Sequence, residues 1–113
     1  MDVNQARLEL VELINLKDGN PTERASNRYH RRAQTIVRAC AKEGAASDLL
    51  VPLLDHAVDS IRLESACFLL DYDHDKAVRA LRAILNDPKA RRRYIASMML
   101  ELAGEDVSGG SGD

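Results

Sequence analysis

The stretch that decides the fold is residues 53–70, LLDHAVDSIRLESACFLL. It combines the end of one apolar helix, a polar turn and a second helix, and a shift of 31 residues aligns this pattern with a second copy. The pairs matched at this offset are Leu50 with Leu81, Leu53 with Ile84, Leu54 with Leu85, Asp55 with Asn86, Arg62 with Arg93, Ser65 with Ala96 and Leu69 with Leu100. The repeat predicts stacked helical hairpins, because stacking buries the apolar face that each hairpin alone leaves exposed.

Helical spacing of apolar residues extends this pattern to the rest of the chain. It predicts six helices, at about residues 3–16, 21–42, 47–55, 60–70, 74–85 and 88–103. The expected N-caps are Asp2, Asn20, Asp59 or Ser60, Asp73 and Asp87, with Pro21 and Pro88 at first helical positions. Residues 1–103 are thus predicted to form one all-α domain, an α–α superhelix of three hairpins, and residues 104–113 a disordered tail.

Composition excludes several classes of protein. The chain has 113 residues, of which 45% are apolar and 30% charged, and its net charge of −2 does not by itself attract nucleic acid or membranes. No apolar run is long enough to span a membrane, and the N-terminal residues do not resemble a secretory signal. Cys40 and Cys67 lack the spacing of metal ligands, so we expect reduced, buried thiols in a cytoplasmic protein.

Three blocks of the sequence resemble a known repeat. They are NRYHRR at 27–32, PLLDHAVDSIRLESA at 52–66 and KAVRAL at 76–81. Residues 49–102 resemble the HEAT repeat of the armadillo-like superhelices, and the three blocks together resemble a family of small bacterial HEAT-like proteins of unassigned function. The resemblance implies an α–α superhelix and, for some members, a role as immunity proteins of toxin systems. It assigns no catalytic residue.

The polar residues of the 53–70 stretch could suggest a reaction centre, but helix geometry favours structural roles. Asp55 and Asp59 are expected to cap helix ends, and Arg62 lies in a first helical turn, where the helix dipole disfavours a cation. Arg62 therefore needs a carboxylate partner, and HEAT repeats generally provide one in a ladder between hairpins. The predicted structural ladder comprises Asp55, Asp59, Arg62, Asp87 and Arg93.

No other motif predicts catalysis, a metal or a cofactor. DYDHD at 71–75 resembles the start of a calcium loop, but Lys76 and Arg82 stand where that loop needs Gly and Glu. The three histidines are expected in turns or on the surface, at positions that cannot converge on one metal. We therefore predict a protein that is not an enzyme.

Basic residues are the remaining candidates for function. Arg24, Arg28, Arg31, Arg38 and Lys42 fall on one face of the second predicted helix, and Arg91 and Arg92 lie at the start of the sixth. A solvated face is one interpretation. The functional one is binding of an acidic protein, as a toxin-neutralising immunity protein or an adaptor would do, and the alternative is binding of a nucleic-acid backbone by the same residues. Exposed end hairpins would also allow a homodimer.

Overall fold

The structure, a computed structural model, describes residues 2–20 and 22–105. These residues form six α-helices and one 3₁₀ helix, and contain no β-strand. The elements are α1 (Val3–Gly19), α2 (Glu23–Lys42), α3 (Ala46–Leu50), the 3₁₀ helix (Val51–Asp55), α4 (Asp59–Leu69), α5 (His74–Leu85) and α6 (Arg93–Leu102). The predicted all-α fold is confirmed.

Neighbouring helices pack in an order compatible with helical hairpins. α1 packs along α2, the 3₁₀ helix along α4, and α5 along both α4 and α6. α3 and the 3₁₀ helix continue one another, and Pro52 lies in the first turn of the 3₁₀ segment, where its missing N–H is tolerated. The stacking of these hairpins into a superhelix stays a prediction.

Two hydrophobic clusters form the core, and α4 contributes to both. The first cluster is built from α1, α2, α3 and the 3₁₀ helix, and it takes Ile61 and Leu69 from α4. The second is built from α5 and α6, and it takes Leu63 and Ala66 from α4. All four α4 side chains are buried, so α4 joins the two clusters, and α5 adds a smaller link because its Ala77 belongs to the first cluster.

Several helix starts follow the sequence prediction. Asp2 accepts hydrogen bonds from the N–H groups of Asn4 and Gln5 at the start of α1, and Asp73 accepts one from the N–H of Lys76 at the start of α5. At the other end of α2, Gly44 has a φ of +72°, a conformation that glycine adopts at little cost. The predicted caps at Asp2 and Asp73 are confirmed.

The predicted N-cap of α2 is wrong. Asn20 Oδ1 accepts bonds from the N–H and the hydroxyl of Thr22, so its side chain closes a local turn. Thr22 instead occupies the cap position, and its hydroxyl accepts the N–H of Ala25. The predicted first helical residue, Pro21, lies outside the described residues.

The predicted caps of α4 and α6 are also wrong. Val58 occupies the α4 cap position, and its apolar side chain cannot accept a cap bond. Asp59 Oδ2 instead accepts the N–H of Arg91 at 2.7 Å. α6 begins at Arg93 rather than Pro88. Asp87 Oδ1 accepts the N–H of Lys89 in a tight turn, and Arg92 then has a left-handed backbone with φ of 59°. Long-range and turn contacts thus shorten α6 by about one turn.

The predicted tail overlaps the described structure at Gly104 and Glu105. The Glu105 carboxylate contacts Arg82 Nη2 at 3.0 Å and His74 Nε2 at 3.3 Å, which joins the end of α6 to α5. Hydrogen bonds from His74 and Arg82 lower the pKa of Glu105. The rest of the predicted tail, residues 106–113, lies outside the described residues.

Candidate functional site

The basic face of α2 consists of five exposed side chains on one side of the helix: Arg24, Arg28, Arg31, Arg38 and Lys42. The opposite side carries the buried residues Ala33, Ile36, Val37 and Cys40, which pack into the first cluster. At 1.5 Å per residue, the five cations extend over roughly 27 Å. The apolar side thus fixes the helix to the domain, and its orientation points the cations to solvent.

The surroundings of the basic face contain few carboxylates. None of the 18 Asp and Glu residues lies between positions 24 and 42, so α2 offers these arginines no acidic residue one turn away. Within residues 2–20 and 22–105, none of the five side chains forms an ion pair. The face therefore presents five cations that are not neutralised by the described part of their own chain.

Other basic residues are neutralised within the fold. Arg32, which lies to one side of the basic face, contacts Glu9 of α1 at 3.0 Å. Lys17 contacts Glu64 at 2.9 Å, which ties α1 to α4. These ion pairs connect helices, whereas the cations of the basic face form none in the described structure. The face differs from the surrounding surface in the number of cations on one side of a helix, since exposed Lys89 and Arg91 also lack an ion pair in the described structure.

The second predicted basic group, at the start of α6, is divided by the fold. Arg92 forms an ion pair with Asp18 at the end of α1, so its charge is used to join two parts of the domain. Arg93 Nε donates to the carbonyl of Leu85 at 2.9 Å. The backbone N–H of Arg91 is bonded to Asp59, but the Arg91 side chain is exposed. Arg92 is therefore a predicted partner-binding residue whose charge is already paired within the described fold.

The predicted ladder residues occupy neighbouring turns, but they do not form one continuous series of ion pairs. Arg62 Nη2 lies 3.9 Å from Asp87 Oδ2, which is too far for a hydrogen bond but close enough for electrostatic attraction. The buried Nε of Arg62 has no hydrogen-bond partner in the described structure. Asp59 binds a backbone N–H and Arg93 a backbone carbonyl, as described above. Asp55 is exposed at the end of the 3₁₀ helix.

A cavity that the sequence did not predict lies between the 3₁₀ helix, α4 and α5. Its volume is about 410 Å³, and Asp55, Arg62, Lys76 and Arg79 contribute to its lining. The residues come from positions 55, 62, 76 and 79, so no short motif could have identified them. Lys76 Nζ lies 3.8 Å from Asp73 Oδ2, and Arg79 Nε donates to the carbonyl of Asp75. The cavity is thus an open, charged groove on the side of the hairpins.

His30 belongs to a cluster that joins α1, α2 and α4. Its ring stacks on Phe68 with centroids 5.6 Å apart, and Nδ1 lies 3.4 Å from Lys17 Nζ, which also binds Glu64. Burial lowers the pKa of His30, the Lys17 charge lowers it further, and Glu64 opposes both. The spacing of these residues in the sequence gives no sign of this cluster, because three separate helices supply it.

The lowered pKa of His30 predicts a pH dependence of stability. The unfolded chain takes up a proton near the ordinary pKa of 6.5, before folded His30 does, so acidification favours unfolding. The contribution of neutral His30 is complete above pH 6.5 and is lost as the pH falls through the folded pKa. We expect the thermal midpoint of the wild type to fall more between pH 7.5 and 5.5 than that of His30→Gln. If circular dichroism shows equal falls in the thermal midpoints of the two proteins, this account is contradicted.

The remaining chemical candidates have structural explanations. Asp73 of the calcium-like segment caps α5, and the described residues contain no group of three or more His, Cys, Asp and Glu side chains arranged to hold a metal. His56 Nδ1 accepts the N–H of Val58 in a turn, and His74 contacts Glu105. Both cysteines are thiols: Cys40 is buried and Cys67 is partly buried. Among the helices described, none is both long and apolar enough to cross a membrane.

Comparisons with known proteins add no assignment to this geometry. No family model, no curated protein and no solved structure matches the chain significantly. The class that the structure establishes is therefore an all-α fold.

Proposed function

We propose that the protein is a non-enzymatic binding module that uses the basic face of α2 to recognise an acidic surface on another protein. The observation that carries this proposal is the set of five exposed cations without a carboxylate partner in the described structure. A toxin-neutralising immunity protein and an adaptor in the cytoplasm are two proteins of this kind. The HEAT-like resemblance of residues 49–102 supports the same class.

The charge distribution gives the proposed interaction a physical mechanism. Six of the 16 Lys and Arg residues lie between positions 24 and 42, while all 18 acidic residues lie elsewhere. An acidic partner is attracted to one side of the molecule and repelled by much of the remainder, which steers association. Binding would not require the loss of an existing ion pair, because these cations have none in the described structure. Arginine also suits carboxylates, since its guanidinium donates two parallel hydrogen bonds.

Two observations favour a protein partner over a nucleic acid. Tyr29, the aromatic residue of α2, packs against the first hydrophobic cluster and is not presented beside the arginines for base stacking. The net charge of −2 also opposes binding to a polyanion over a large surface. Backbone contacts alone could still produce weak binding to nucleic acid, so the experiment must separate the two partners.

The test compares two triple variants of equal charge. The first, Arg28→Glu/Arg31→Glu/Arg38→Glu, reverses the basic face, and the second, Lys76→Glu/Arg79→Glu/Lys89→Glu, reverses three exposed cations elsewhere. A protein cross-linked to the wild type in host cells is purified and titrated against all three forms. We expect the α2 variant to bind at least about tenfold more weakly, and the control to bind nearly as the wild type does. The loss of affinity in the α2 variant should be larger at low salt, where electrostatic attraction is strongest.

The same variants decide the nucleic-acid alternative in an electrophoretic shift with duplex DNA at low and high salt. Absence of a shift at low salt would exclude that alternative. A salt-sensitive shift that only the α2 variant loses, together with equal binding of the captured protein by all forms, would replace our proposal with nucleic-acid binding. Equal protein binding by both triple variants without any DNA shift would remove the basic face from the function altogether.

A further inference from the structure

α6 carries large apolar side chains on two opposite faces. Ala96 and Leu100 are fully buried in the second cluster, against α5. Tyr94, Met98 and Leu102, spaced four residues apart, are 70%, 49% and 77% exposed. Steps of four residues advance the helix by about 40°, so these three side chains form one continuous strip on the side away from the core. We call this strip the outer face of α6.

The described part of the chain leaves the outer face uncovered. α6 packs extensively on α5, and no other described element packs on it to a similar extent. Residues 106–113, which follow in the sequence, include Val107 as their one large apolar residue. A helix that is apolar around most of its circumference is normally buried between other elements. The outer face therefore has the apolar composition of an interface, but no described element packs against it.

The charges at the two ends of the outer face are opposite. Arg91 precedes α6 and Glu101 lies in its last turn, and both side chains are exposed and without an ion pair in the described structure. If two copies of α6 pack in antiparallel orientation, the basic end of each helix lies beside the acidic end of the other. Parallel packing would place like charges together. The charge pattern thus favours packing against α6 of a second copy of the chain, with the two helices antiparallel.

We propose that the chain forms a homodimer in which the outer faces of two α6 helices pack antiparallel across a two-fold axis near Met98. Tyr94 then contacts Leu102 of the partner subunit, and the basic start of each α6, which Arg91 precedes, lies on the same side of the axis as the partner's helix end that carries Glu101. Such an interface is isologous, because the same residues serve both subunits. Three large apolar side chains from each subunit form its centre, so we expect a weak dimer with a dissociation constant of about 10–100 μM. The basic face of α2 is not part of it.

Disulfide cross-linking tests the position of the axis. Met98→Cys places a thiol close to its symmetry mate, and Leu8→Cys, on a side chain that is 68% exposed on α1, is the control. The native thiols should contribute little, since Cys40 is buried and burial raises the pKa of Cys67 to about 12. In mild oxidant at 100 μM protein, we expect Met98→Cys to form covalent dimer at least about tenfold faster than Leu8→Cys. Equal rates would overturn the proposed axis.

Charge exchange tests the direction of packing. Sedimentation equilibrium of the unmodified chain should show a monomer–dimer equilibrium, and Arg91→Glu or Glu101→Arg alone should weaken it about threefold to tenfold. The double variant should recover dimerisation, because the opposite charges again face one another across the axis. A chain that stays monomeric at 500 μM, or a double variant weaker than both single variants, would overturn the proposal and leave the outer face to another protein.

Discussion

Leu81→Ala is expected to lower the free energy of unfolding by about 3 kcal/mol, within the range of 2–5 kcal/mol typical of buried leucines. Leu81 lies in the middle of α5, is fully buried and belongs to the second cluster. Its removal loses apolar burial and leaves a cavity, because α4 and α6 are held by their own contacts and cannot close completely around alanine. Urea unfolding followed by helical circular dichroism measures the change.

Leu8→Ala is the matched control for this substitution. Leu8 is on α1 and is 68% exposed, so the same chemical change removes little buried surface and should alter stability by no more than about 0.5 kcal/mol. Similar decreases in the free energy of unfolding for the two variants would mean that α5 does not pack as described. The loss at Leu81 is large relative to the total stability of a domain, which is about 5–15 kcal/mol.

The Cys67 thiol is expected to react with a thiol reagent about a thousandfold more slowly in the folded protein than an ordinary cysteine does. Burial raises the pKa of Cys67 to about 12, and the nearby Glu64 charge acts in the same direction, opposed by Lys17. The thiolate is the reactive form, and at pH 8 only about one molecule in ten thousand would carry it, against roughly a quarter for a free thiol.

Labelling with a chromogenic disulfide reagent at pH 8 checks this result. Cys40 should also react slowly, because burial and the Glu43 charge raise its pKa. In urea both thiols should react at the rate of a free cysteine, which provides the reference within the same chain. Fast labelling of one thiol in the folded protein would contradict the burial of that residue. A slow reaction of both thiols would agree with their burial and raised pKa.

The sequence predicted well those features that depend on residues close together in the chain. The apolar spacing within α1, α2 and α5 placed these helices correctly, since helix geometry alone converts that spacing into a buried side. The caps at Asp2 and Asp73 were predicted for the same reason, because a cap bonds N–H groups two or three residues ahead. The exposed basic side of α2 is a direct consequence of the opposite apolar side.

Features that depend on long-range contacts could not be predicted. The start of α6 shifted because Asp59, 32 residues earlier, binds the N–H of Arg91. The ion pair between Arg92 and Asp18 likewise joins distant segments. It leaves one fewer predicted partner-binding residue with a charge that is free to bind a partner. The cluster around His30 and the cavity beside Arg62 arise in the same way. In each case one side chain had several potential partners, and only the packing of whole helices selected among them.

The position of α4 between the two hydrophobic clusters has a consequence for how the domain unfolds. A fragment that ends before α4 would expose the apolar surface that Ile61 and Leu69 cover, and a fragment that begins after it would lose Leu63 and Ala66. Neither half retains a complete core without the same eleven-residue helix. The backbone amides of α4 should therefore exchange with solvent mainly through opening of the whole domain, which makes this short helix the common element of a single cooperative unit.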